Sequence, residues 1–147
     1  MLESLHPFVL PALAALLAVA GCTTAPPNLD LSLDKDTAKG MYHVTLVPPA
    51  DTVAINKLHT WQVQVRTPDG KPVTEASVAV DGGMPQHLHG LPTKPRVSRE
   101  LSPGTYLVEG MKFSMPGWWE VKLDVSATPG ADKVTFNTVL DDSGARK

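Results

Sequence analysis

The sequence has a single cysteine, Cys22. One thiol excludes an internal disulfide, and no Cys-x-x-Cys pair exists for redox or zinc chemistry. Long apolar runs are also missing. The longest, Phe8 to Ala20, covers thirteen residues, well short of the roughly 20 a spanning helix needs. Charge of one sign is lacking too, with 13 basic against 15 acidic residues and no run of Lys or Arg. Without a basic patch, a nucleic-acid partner is not expected. Catalytic signatures are absent. Nothing resembles a nucleophile elbow, and Glu75, Glu100 and Glu109 form no acid pair. Gly82-Gly83 lacks the strand-loop-helix setting of a phosphate cradle. The expectation is a protein that is not an enzyme.

What is present begins with the N-terminus. The run Phe8 to Ala20 has the length of an export-signal core. It ends in Val19-Ala20-Gly21-Cys22, which resembles the lipobox of bacterial lipoproteins. Small residues at 20 and 21 let a peptidase reach the backbone, and Cys22 would become the lipidated N-terminus. More than one acyl chain is needed for stable anchoring. The segment before the run departs from the usual pattern, because it carries Glu3 and no Lys or Arg. The competing reading is a buried N-terminal helix with a core cysteine. Thr23, rather than Asp, follows the cysteine. By resemblance to Gram-negative lipoproteins, that points to the outer membrane and a periplasm-facing domain. The expected organisation is a signal over 1–21, a lipidated flexible tether over 22–39, a folded domain over 40–141 and a tail over 142–147.

The folded part is rich in turn formers, as 14 prolines and 11 glycines attest. These favour short strands over long helices. Apolar residues alternate with period two at Tyr42, Val44 and Leu46; at Trp61, Val63 and Val65; at Val78 and Val80; and at Trp119, Val121, Leu123 and Val125. Further strands are expected over 96–101, over 105–113, and around Val134, Phe136 and Thr138. About seven short strands separated by Pro-Gly turns predict an all-β, immunoglobulin-like β-sandwich.

Two segments carry soft and imidazole ligands. Gly82 to Pro95 is expected as a loop holding Met84, His87 and His89. Two histidines one residue apart project to one side of an extended chain. By the same parity Met111, Phe113 and Met115 share a face. Sandwich loops cluster at two ends, so the two segments can meet. Thioether selects Cu(I) and imidazole serves both copper states, so this set suits copper better than zinc, calcium or magnesium. Against this stands the plain reading of methionine as core filler and of loop histidines bonded to carbonyls. His43 is expected outward and exposed, and His59 in a capping or edge role. Trp118 is expected on the rim beside the site, where it would shield the site or form an interface.

The motifs Pro68-Asp-Gly-Lys-Pro-Val73, Met84-Pro-Gln-His-Leu-His-Gly90 and Gly110-Met-Lys-Phe-Ser-Met-Pro-Gly-Trp-Trp-Glu120 resemble the YtkA-like family, grouped loosely with FixH-like envelope proteins. The resemblance covers about residues 40 to 140. It implies a β-sandwich in the bacterial envelope with a link to copper handling or respiratory-oxidase assembly. FixH-like proteins usually carry a transmembrane helix, where this chain has the lipobox. The expected function is a copper-binding chaperone or buffer with Met84, His87, His89, Met111 and Met115 as ligands and a copper-accepting envelope protein as partner. The alternatives are an adaptor module binding another envelope protein without metal, and an enzyme accessory domain with a small-molecule pocket. The oligomeric state is not legible in the sequence.

Overall fold

The computed structural model describes residues 25–147. The segment expected as an export signal and Cys22 lie outside the described residues. Among the described residues nine strands form, all antiparallel: β1 (Asp34–Asp36), β2 (His43–Val47), β3 (His59–Arg66), β4 (Ser77–Met84), β5 (His89–Gly90), β6 (Arg96–Ser102), β7 (Thr105–Met111), β8 (Gly117–Ala127) and β9 (Gly130–Leu140). They make two sheets, ordered β1-β2-β3-β7-β6 and β5-β4-β8-β9. The fold is the expected all-β sandwich, with nine strands in place of seven.

Alternation decides which faces meet. Tyr42, Val44, Leu46, Trp61, Val63, Val65, Tyr106 and Val108 line the inner face of the first sheet. Val78, Trp119, Val121, Leu123, Val125, Val134 and Phe136 line that of the second. Between the sheets these side chains exclude water, the main favourable term in folding. Tyrosine hydroxyls tie the layers at the edges. Tyr106 donates to the carbonyl of Val73 (2.6 Å) and accepts from the N–H of Ala76 (2.9 Å), pinning the crossing from β3 to β4. That crossing opens on the turn after β3. Gly70 holds φ at 87° there, a conformation glycine adopts without steric cost.

The segment expected as tether is folded from about Asp30. β1 pairs Asp34, Lys35 and Asp36 with Thr45, Val44 and His43. On its other side the same segment runs down the edge of β9. Asn137 donates to the carbonyl of Asp30, Lys35 Nζ to that of Thr135, and the Ala38 N–H to that of Lys133. Asp132 completes this seam, accepting from the N–H groups of Lys39 and Met41. Burial alone would push its carboxyl up, but bonds from the Thr37 hydroxyl and these N–H groups outweigh that and hold it at about 2. The tail also folds back. Asp141 caps a turn, and the Lys147 N–H bonds the carbonyl of Val139. The domain is therefore wider than 40–141 at both ends. The sequence hid this because β1 is only three residues long and charged.

Candidate functional site

The ends of β4 and β7 and the starts of β3 and β8 gather at one end of the sandwich. Strand β4 runs through Gly82-Gly83 to Met84, turns over Pro85–Leu88, and returns as β5. The region expected as a loop is thus a hairpin, with Met84 opposite His89. The glycines make it possible. A Cβ on Gly82 would lie 2.2 Å from the carbonyl oxygen of Glu120, and one on Gly83 2.5 Å from that of His89.

His87 lies in the turn rather than on an extended strand, because Leu88 sits in the left-handed region at φ 54°. The two imidazoles still come together, with centroids 5.6 Å apart and planes inclined by 27°. Both are exposed. Metal–nitrogen bonds near ~2.0 Å place two rings on one ion roughly 6 Å apart or less, so this spacing is compatible with a shared ion. His89 also meets Trp119, 6.2 Å between centroids and tilted at 63°.

The methionines divide. Met84 and Met111 are each 1% exposed, whereas Met115 is 37% exposed. The parity that was to place Met111, Phe113 and Met115 on one face ends with β7, so Met115 turns outward. It remains in the neighbourhood, since Trp119 Nε1 donates to its carbonyl oxygen at 3.0 Å. Met84 reaches beneath the same turn. Its terminal methyl would lie 2.8 Å from a Cβ on Gly117. Met84 and His89 line one concavity together with Leu88 and Glu120. Met111 lies deeper, opposite His59 on β3. Met84, His87, His89 and Met115 thus belong to one end of the molecule, and Met111 to the core beneath it.

Trp118 is half-buried and gives its indole N–H to Asn137 at 3.0 Å. Asn137 in turn holds the carbonyl of Asp30, so Trp118 belongs to the β9 seam rather than to the histidine hairpin.

The structure brings in two groups that periodicity offers little reason to join. His59 stacks on Phe113 at 5.4 Å, and Phe113 stands edge-on to Trp119 at 5.1 Å. Trp61 Nε1 donates to His59 Nδ1 at 2.8 Å. Indole nitrogen only donates, so the His59 proton sits on Nε2. That nitrogen is enclosed without a protein partner. Burial lowers the pKa of this imidazole and favours its neutral form. Its Nε2 therefore carries a proton where a metal would need a lone pair. The other group is Glu120, placed beside the hairpin by the Gly83 to Glu120 pairing and bridged to Lys122 at 3.0 Å. Its outward position was legible from alternation, but its neighbours across the sheet were not.

Among the described residues, no three His, Cys, Asp or Glu side chains converge as a metal cage. Any ion here would rest on imidazole and thioether.

Comparison with known proteins adds the following. No curated protein matches the sequence. One solved structure, the ZirS C-terminal domain, aligns with a TM-score of 0.41 at 12% identity, over 93% of this chain and 86% of that one. The family model described as YtkA-like matches residues 36–124. With more than half its length matched, the chain belongs to the YtkA-like family.

Proposed function

We propose that this YtkA-like domain is an envelope lipoprotein, anchored through Cys22 and facing the periplasm, that binds one copper ion as a chaperone or buffer. His87 and His89 supply imidazole nitrogen. Met115 supplies an accessible thioether, and Met84 a second one from the floor of the concavity. Met111 stands in reserve below. The observation that carries this reading is the approach of the two imidazoles, 5.6 Å apart on the hairpin that also carries Met84. Exposed imidazoles and an exposed methionine suit transfer by stepwise ligand exchange with an accepting envelope protein. Thioether favours Cu(I) over harder ions.

The test is a titration of the domain beginning at Thr23 with Cu(I) and Cu(II) against a competing chelator. The His87→Ala/His89→Ala double variant is expected to bind at least about tenfold more weakly, the size of effect that losing roughly 1.4 kcal/mol gives. Equal affinity of the two proteins would end the copper reading.

A further inference from the structure

Where the chain enters the sandwich bears on which way the histidine end points. Asp30 is held at the level of Asn137, which is three residues from Leu140 at the histidine end and seven from Gly130 at the other. At ~3.4 Å per residue these are roughly 10 Å and 24 Å. From there the chain descends away from the histidine end, past Thr135 and Lys133. Seven residues lie between Cys22 and Asp30, which gives the linker a reach of at most about 29 Å fully extended. The turn at Pro27-Asn28 shortens it. The point where the anchor's leash joins the domain thus lies nearer the histidine end, roughly 10 Å from it against roughly 24 Å from the opposite one.

The surface at that end fits a lipid neighbour. Four large apolar side chains are exposed among the described residues: Leu88 at 93%, Leu58 at 68%, Leu101 at 42% and Met115 at 37%. Leu88 tips the β4–β5 turn, Leu58 precedes β3 and Met115 precedes β8, so three of the four crown the histidine end. Leu101 lies at the far end, beside the β6–β7 turn. Charges of both signs belong to this end of the chain path, Lys57 directly before Leu58 and Asp141 directly after the Leu140 end of β9. The contact is thus apolar rather than electrostatic.

We infer that the histidine end rests on the lipid surface that holds Cys22, with Leu58, Leu88 and Met115 as its contact residues. This rests on the lipid-anchor part of the proposed function and is independent of copper. It makes the membrane surface the place where the His87–His89 pair works.

The experiment uses the mature protein purified from membranes and reconstituted in phosphatidylethanolamine–phosphatidylglycerol vesicles. Acylation occupies the Cys22 sulfur, so a thiol introduced by Leu88→Cys or Ser102→Cys is the only free one for a polarity-sensitive dye. Leu58→Cys provides a second position at the histidine end. Nitroxide lipids are expected to quench the dye at 88 and 58 several-fold more than at 102, with little change between low and high salt. Equal quenching at the two ends, or stronger quenching at 102, overturns the orientation. A strong loss of quenching in high salt overturns the apolar contact. Mass spectrometry of the same preparation reads the anchor separately, since an unmodified Cys22 sinks the lipoprotein reading itself.

Discussion

At the residue scale, histidines of one sequence are given different chemistry by their neighbours. His43 was expected to be outward and exposed. It does face outward, opposite in parity to buried Val44, but is part-covered by β1, with Nδ1 2.8 Å from Asp36 and Nε2 3.0 Å from Asp34. Both ring nitrogens donate only when the imidazole is protonated. The bonds to Asp36 and then Asp34 raise its pKa above 6.5, while Arg66 lies across from it on β3. A raised folded-state pKa contributes stability that is complete below about 6.5 and is lost as pH climbs through the folded value. With the side chain 36% exposed, solvent screening keeps the gain near ~0.5 kcal/mol. Urea unfolding of the wild type and His43→Gln should therefore differ most at or below about pH 6.5 and converge as the pH rises through the raised folded-state value. A gap independent of pH would contradict this. The His-x-His pair was legible as a candidate site because spacing is written in the chain. The protonation pattern of His59 was not, because the indole of Trp61 fixes it through space.

At the element scale, the hairpin of β4 and β5 depends on two residues that lack side chains. Gly82 and Gly83 admit the carbonyl oxygens of Glu120 and His89 at distances a Cβ would occupy. Gly82→Ala must push β8 away from β4 or distort the ladder that pairs Gly82 with Val121. Overpacking of this kind costs roughly 3 kcal/mol, and the melting temperature should fall by about 10 °C or more. An unchanged melting temperature would show that the strands can separate freely here. The sequence marked this stretch as a Gly- and Pro-rich loop. Glycine signals a close approach or a turn without telling which, and only the pairing with β8 decides.

At the scale of the whole molecule, residues 30–39 close one open side of the sandwich. They pair with β2 in one sheet and cover the carbonyls of β9 in the other. Both of these strands would otherwise present unpaired edges, which template association with other chains. A domain starting at Gly40 should be less stable and should oligomerise, by light scattering after size exclusion, where the domain starting at Thr23 stays smaller. Equal mass and melting temperature for the two would refute the role given to this segment. Its signal was weak in the sequence because a three-residue charged strand shows no apolar alternation.

The sequence by itself determined the all-β class, the inward faces of the longer strands, the family motifs and the residue types a soft-metal site would use. Those features depend on local order along the chain, where alternation with period two sorts side chains into two faces. Tertiary structure decided which face-sharing residues became neighbours. It buried Met84 and Met111, exposed Met115, committed the Trp118 indole to Asn137, and led the N-terminal segment in at the histidine end. These depend on which strands lie side by side and on backbone approaches set by glycine, neither of which periodicity encodes.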